Sequence, residues 1–177
     1  MTVLSPNLEL NDSGMEEASE TFQTVFHKTW ALIPRGGKKV INTFFMARPT
    51  TVYLCYEMDR EDGKEAWAKI HWNVGGRTII AFLAPFIMHG RPIEAVMGVV
   101  GHELAHIYRA GSDIQLSDND TEEKETRRLC GFWHLLPEPS KYVTGSVLNA
   151  MEKWKQARAI NKGHLTEKNL IESIKEL

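Results

Sequence analysis

Apolar residues recur at helical spacing in three parts of the chain. Residues 15–33 carry an apolar stripe that ends at Pro34, and residues 92–109 carry a second stripe between Pro92 and Gly111. From residue 141 onward the spacing is helical again, and residues 165–177 fit a last short helix. The pattern therefore predicts an N-terminal helix, a central helix and C-terminal helices.

Between the first two stripes the pattern changes to that of strands. Residues 50–58, 67–74 and 78–83 are rich in β-branched and aromatic residues, and Gly75–Gly76 fits a hairpin turn. Residues 40–46 fit either a short helix or a strand, and residues 1–12 read as a loose arm. We therefore expect one α+β domain over residues 13–177, with a small antiparallel sheet of about three strands.

Composition limits the classes of function. A chain of 177 residues with 42% apolar residues can bury one core, and a net charge of −2 gives no indication of nucleic-acid binding. No run approaches the ~20 apolar residues that a membrane span requires, and the N-terminus lacks a basic start. Cys55 and Cys130 read as core residues in a reducing compartment. These observations predict a cytoplasmic protein with no membrane partner.

The central helix carries the sequence His102-Glu103-Leu104-Ala105-His106. Two histidines four residues apart lie one turn apart on the same face of a helix, where both can bind one Zn²⁺ ion. Glu103 lies beside them and can act as the general base that takes a proton from a zinc-bound water. The motif predicts a zinc hydrolase with His102 and His106 as metal ligands and Glu103 as the catalytic residue.

A catalytic zinc site needs a third protein ligand, and an acidic segment follows the motif. From Thr121 the chain predicts a second helix that has an acidic first turn and stops at Pro137. The apolar positions of this helix place Glu122 and Glu125 nearer to its buried face than Glu123. The candidate ligands are Asp113, Asp118, Asp120, Glu122, Glu123, Glu125 and His134.

The motif and the second helix together resemble the small glutamate-type zincins, in particular ImmA/IrrE-type peptidases and the core shared with HtpX-type peptidases. In these families the zinc glutamate opens a helix of the form E-x-x-A-(N/D), followed by small residues. The resemblance covers about residues 74–137 and implies Glu123 as the third ligand. The matching positions are Glu123, Thr126, Leu129, Cys130, Gly131 and Leu135-Leu136-Pro137.

The sequence departs from the family pattern at three points. Arg127 stands where an Asn or Asp usually orients a zinc histidine, and Thr126 stands in place of Ala. One extra residue precedes Pro137. These departures leave open which residue supports the zinc histidines.

The resemblance implies a zincin-like fold and a zinc-dependent metallopeptidase that acts on a protein or peptide. Such enzymes hold an extended substrate against the edge of the sheet, for which residues 78–83 are the candidate strand. A further donor to the oxyanion is usual in these enzymes. The residues of suitable type are Tyr108, Arg127, His134 and Tyr142.

Two other functions are compatible with the sequence. A zincin-fold regulator would bind a protein partner without cleaving it, although the intact Glu103 argues against this. A SprT-like protease, acting on DNA-bound proteins, would use a histidine as its third ligand, and only His134 or His164 could supply it.

Overall fold

The computed structural model describes residues 1–61, 63–112, 118–158 and 165–176. These residues form an α+β structure, as the sequence predicts. The strands are β1 (Thr2–Ser5), β2 (Leu8–Asn11), β3 (Thr50–Cys55), β4 (Arg60–Glu61), β5 (Lys64–Glu65), β6 (Ala68–Val74) and β7 (Arg77–Leu83). The helices are α1 (Glu16–Leu32), α2 (Arg35–Ala47), α3 (Ala84–His89), α4 (Ile93–Gly111), α5 (Asn119–Phe132), α6 (Gly145–Arg158) and α7 (Glu167–Lys175).

The main sheet differs from the predicted sheet in size and in strand direction. It has five strands in the order β1-β2-β3-β7-β6, and the prediction of about three antiparallel strands is wrong. β2 pairs with β3 and β3 with β7 in parallel, whereas β6 and β7 form an antiparallel hairpin through Gly75 and Gly76, both at positive φ. Parallel pairing joins segments that are distant in sequence, so no local pattern indicates it.

Residues 2–5 and 8–11 belong to the sheet, and the interpretation of residues 1–12 as a loose arm is wrong. β1 pairs with β2, and β2 pairs with β3. Leu8 and Leu10 are 0% and 1% exposed, while Glu9 between them points outward. A strand of four residues offers too few alternating positions to be recognised from sequence.

The helices pack around α4. α1, α2 and α5 all contact it, and α1 also packs on the sheet, where the rings of Phe22 and Phe82 lie 4.9 Å apart. Residues 40–46, which fit either a helix or a strand in the sequence, are helical and belong to α2, which begins directly after Pro34. α4 carries the histidine motif on a largely buried element, as predicted.

The segment after α5 closes on α4. Pro139–Tyr142 form a single 3-10 turn that contacts α4. A Cβ atom at Gly98 would lie 2.8 Å from the carbonyl oxygen of Leu136, so glycine permits this close approach. Residues 135–139 thereby form a wall above the helix that carries the motif.

The last predicted helix corresponds to α7, which is fixed to the sheet by polar contacts. Glu167 is 2% exposed and accepts a hydrogen bond of 2.7 Å from the backbone N–H of Asp59. Its other carboxylate oxygen lies 2.9 Å from His71 Nε2 and 3.5 Å from Lys69 Nζ. Among the helices described, none is long and apolar enough to cross a membrane.

Candidate metal centre

α4 places the two histidines of the motif one turn apart on the same face. Their Nε2 atoms lie 3.1 Å from each other, and both rings are partly exposed at the surface of the helix. Both Nε2 atoms therefore face the same point, where one ion could bind.

Glu123 of α5 completes a group of three potential ligands. Its Oε2 lies 3.3 Å from His102 Nε2, and its Oε1 lies 3.2 Å from His106 Nε2. One ligand atom from each of the three side chains lies within 4.8 Å of the other two. This His-His-Glu group could hold a metal ion.

The electrostatics of the group favour an ionised Glu123. Hydrogen bonds from His102 and His106 lower the pKa of the Glu123 carboxyl far below its usual range, against the effect of burial. Burial alone would lower the pKa of His106, but its contacts with Glu123, Glu103 and Glu122 raise it. The carboxylate is therefore held in the anionic form that a metal ligand requires.

Glu122 contacts the other nitrogen of the same imidazole. Its Oε1 lies 3.2 Å from His106 Nδ1, so His106 can present Nε2 to a metal while Nδ1–H donates to a carboxylate. The buried guanidinium of Arg109 donates to the backbone carbonyl of Glu122 over 3.1 Å and so ties α5 to α4. Sequence reasoning missed both contacts, since Glu122 appeared only as an alternative ligand.

Glu103 lies between the metal group and the apolar core. It is 8% exposed and contributes to a cavity that also contains His102 and Glu123. Burial raises the pKa of its carboxyl, the neighbouring histidines lower it, and the net shift is upward. A carboxyl group with a raised pKa is better suited to accept and release a proton near neutral pH.

The cavity beside the group has a volume of about 480 Å³, which is within the usual range for ligand sites. Three parts of the chain form its walls: the start of β6, the facing sides of α4 and α5, and the segment that follows α5. Its lining residues are Ala66, Trp67, Ala68, Val99, His102, Glu103, Glu123, Arg127, Pro137, Glu138, Pro139, Ser140 and Lys141.

The strand at the cavity is not the predicted one. Residues 78–83 lie in β7, which is paired on both sides, so the prediction that they form the free edge is wrong. β6 is the outer strand of the sheet at this end and contacts α4. The sequence predicts the hairpin but not which of its two strands lies at the edge of the sheet. The parallel pairing of β7 with β3 places β6 at the edge.

The remaining candidate ligands lie apart from the histidines or have other contacts. Asp118 caps α5 by accepting from the N–H of Thr121 over 2.8 Å, and Glu125 lies 3.8 Å from Arg128. His134 is exposed on a turn at positive φ and is not part of the metal group. The candidates Asp113 and His164 lie outside the described residues.

Of the four residues proposed as oxyanion donors, Arg127 lines the cavity. The Tyr108 ring packs edge-on against Trp133, 5.8 Å away. Tyr142 contributes to a different surface depression, formed with Arg91 and Ser146. Both cysteines are buried thiols, as predicted, and burial raises the pKa of each to about 12.

Comparisons with known proteins do not assign this chain to a family. No family model, no curated protein and no solved structure matches it. The functional argument therefore depends on the residues of the site and their geometry.

Proposed function

We propose that this protein is a zinc-dependent metallopeptidase. The observation that carries the proposal is the convergence of His102, His106 and Glu123 on one point, with Glu103 in the same cavity. A pair of histidines and one carboxylate form a known ligand set for catalytic zinc, and this set leaves one coordination position for water.

The types of the three ligands and their close approach are compatible with zinc. A tetrahedral ion with bonds of about 2.0–2.1 Å holds its ligand atoms roughly 3.3 Å apart. In the site, the two Nε2 atoms lie 3.1 Å apart, Glu123 Oε2 lies 3.3 Å from His102 Nε2, and the other oxygen, Oε1, lies 3.2 Å from His106 Nε2. Ca²⁺ prefers six to eight oxygen ligands at about 2.3–2.6 Å, which the two imidazoles do not suit.

The protein's own residues supply the acid-base chemistry and the binding surface. When bound, zinc lowers the pKa of a coordinated water and polarises the carbonyl group of the substrate. Glu103 accepts the proton of the attacking water and returns it to the leaving amine. The buried position of Glu103 keeps bulk water from competing for this proton.

The edge of the sheet favours a peptide as the substrate. β6 is the outer strand beside the cavity, and its free backbone groups can pair with an extended chain. A peptide that pairs in this way passes along the cavity that contains the metal group. Buried and unpaired Cys55 and Cys130 are compatible with the reducing cytoplasm, which is the location that we propose.

Glu103→Gln tests this function, because it removes the base and leaves the three ligands. We expect the purified protein to contain about one zinc per chain by elemental analysis, and Glu103→Gln to retain it. Cleavage of a peptide library, followed by mass spectrometry, should fall by about 10²–10⁴-fold in the variant. Glu125→Gln, an exposed carboxylate outside the cavity, is the matched control.

Three outcomes would contradict the proposal. A folded protein that neither contains nor takes up zinc would exclude the metal centre. A zinc protein in which Glu103→Gln cleaves as fast as the wild type would exclude the role of Glu103, and one that cleaves nothing would support the regulator instead.

A further inference from the structure

Arg127 lies in the cavity one helical turn beyond the metal ligand Glu123. The two residues are four positions apart on α5, and both line the cavity. Residues at this spacing have Cβ atoms about 5–6 Å apart on one face of a helix. The flexible side chain of Arg127 can therefore reach a molecule that lies against the metal group.

Among the described residues, Arg127 forms no ion pair, although its charge helps to lower the pKa of the Glu138 carboxyl. Within the part of the chain that the structure describes, no Asp or Glu oxygen lies within 4 Å of its guanidinium. Adjacent Arg128 lies 3.8 Å from Glu125, and Lys141 directly contacts Glu138. Among the described residues that line the cavity, Arg127 is therefore the cation without an ion-pair partner.

The carboxylates that line the cavity have other partners. Glu123 faces both histidines, and the direct contact with Lys141, with a smaller effect of Arg127, lowers the pKa of the Glu138 carboxyl. Glu103 is buried beneath the cavity. An anionic group of a ligand is therefore the partner that the guanidinium lacks.

The other walls of the cavity combine polar and apolar side chains, and the apolar ones fit side chains of a peptide. Trp67 stacks on Phe86 with ring centroids 4.6 Å apart, and Val99, Pro137 and Pro139 lie around the same space. Successive residues of an extended chain are about 3.3–3.6 Å apart. A guanidinium one helical turn from the metal ligand therefore meets groups within about two residues of the cleaved bond.

We propose that Arg127 binds a carboxylate of the substrate, so that the protein prefers peptides with an acidic side chain or a C-terminal carboxylate close to the cleaved bond. This inference rests on the proposed function. The planar guanidinium can hold a carboxylate through two parallel hydrogen bonds, which a lysine cannot reproduce. The alternative role, donation to the oxyanion, would act on every substrate regardless of charge.

The test measures peptide binding to zinc-loaded Glu103→Gln protein, which does not depend on cleavage. The probes are fluorescein-labelled octapeptides of Ala and Leu with one Glu or one Gln at each position, made with free or amidated C-termini. Fluorescence anisotropy should show binding about tenfold or more tighter for a carboxylate than for the matching amide at one position. The position at which the carboxylate strengthens binding shows whether Arg127 binds an acidic side chain or the C-terminal carboxylate.

Variants of Arg127 in the same background connect this preference to its guanidinium. Arg127→Ala should abolish the tenfold ratio of affinities for carboxylate and amide peptides. Arg127→Lys should retain part of this ratio, and Arg127→Glu should reverse it. Arg128→Ala is the matched control, because Arg128 is the adjacent exposed arginine and does not line the cavity. It should leave the ratio unchanged.

Several results would overturn the inference. The first is equal affinity for carboxylate and amide peptides. The second is a ratio of these affinities that is unchanged in Arg127→Ala. The third is that the Glu103→Gln protein with Arg127 intact binds none of the probes. A fall in kcat for all peptides in Arg127→Ala, with an unchanged preference, would assign Arg127 to the oxyanion. If acidic peptides bind in an Arg127-dependent way but the wild-type protein, with Glu103 intact, does not cleave them, the proposed hydrolysis is refuted and this inference is kept.

Discussion

Glu122 and Glu123 are consecutive residues of α5, and their carboxylates contact different nitrogens of the same imidazole. Glu123 lies 3.2 Å from His106 Nε2, and Glu122 lies 3.2 Å from His106 Nδ1. A ligand and a residue that orients a ligand differ in how much metal affinity depends on them. The structure therefore places the two carboxylates at opposite nitrogens of the His106 ring.

We expect three alanine variants to differ in zinc affinity. Glu123→Ala should weaken binding most, because it leaves only two protein ligands. Glu122→Ala should weaken it by about 10–100-fold through the loss of His106 orientation. Glu125→Ala should bind like the wild type, because among the described residues Glu125 pairs with Arg128 and is not part of the His-His-Glu group. Competition with a chromogenic chelator measures all three.

The order of these affinities is decisive. If Glu123→Ala binds like the wild type while Glu122→Ala or Glu125→Ala fails, then Glu123 is not the third ligand. Loss of binding in His134→Ala would indicate the SprT-like alternative. Circular dichroism of each variant distinguishes loss of a ligand from loss of the fold.

The site was only partly predictable from sequence. His102, Glu103 and His106 follow from their spacing on one helix, which requires no tertiary information. The periodicity of the second helix favoured Glu122 and Glu125, whereas the family resemblance favoured Glu123. The contacts of Glu122 depend on the angle and distance between α4 and α5, and these follow from packing rather than from the local sequence.

At the scale of elements, the close packing of residues 135–139 on α4 forms one wall of the cavity. An added methyl group at Gly98 would press on the Leu136 carbonyl at 2.8 Å and on Pro139 at 3.3 Å. We expect Gly98→Ala to lower the free energy of unfolding by about 1–3 kcal/mol and to weaken peptide binding, while zinc remains bound. Urea denaturation and peptide anisotropy measure the two effects.

Gly131→Ala is the matched control for this substitution. Gly131 also lies in a helix, but a Cβ there would meet no atom within 4 Å. The alanine should stabilise α5 by up to about 1 kcal/mol through its higher helix propensity. Equal effects of the two alanines would show that the wall does not depend on contact at Gly98.

The attachment of α7 to the sheet predicts a dependence of stability on pH. Burial raises the pKa of Glu167, but its contacts with His71, the Asp59 N–H and Lys69 outweigh this and lower it. A carboxyl with a lowered native pKa stabilises the fold above its unfolded pKa of about 4.3, and this contribution is lost as the pH falls. Glu167→Gln should lower the free energy of unfolding by roughly 1–3 kcal/mol at pH 7 and by progressively less below pH ~4.

Chemical denaturation at several pH values between 7 and 3 checks this prediction. Glu172→Gln, at an exposed position of the same helix, is the control and should change the free energy of unfolding little at any pH. If the difference in free energy of unfolding between the wild type and Glu167→Gln stays constant over this pH range, the lowered pKa of Glu167 is contradicted.

The elements themselves were more predictable than their arrangement. The apolar stripes that predict helices at residues 15–33 and 92–109 correspond to α1 and α4, and three predicted strands correspond to β3, β6 and β7. Strand order was not predictable, because β2 meets β3 only after a crossover through α1 and α2. Local periodicity contains no information on such a pairing.

At the scale of the whole molecule, the N-terminal strands extend the sheet and its core. Leu8 is fully buried, whereas Val3 is 69% exposed. We expect Leu8→Ala to lower the free energy of unfolding by about 2–5 kcal/mol, and Val3→Ala to change it by less than about 0.5 kcal/mol. If residues 1–12 were a loose arm, neither substitution would affect thermal unfolding.

The strand order also determines when the site can form during synthesis. β3 and β6 both pair with β7, so the sheet is incomplete until residue 83 has left the ribosome. His102, His106 and Glu123 follow later in the chain, and the cavity wall at residues 137–141 follows them. On the proposed function, the residues of the sheet are thus synthesised before those of the hydrolytic centre.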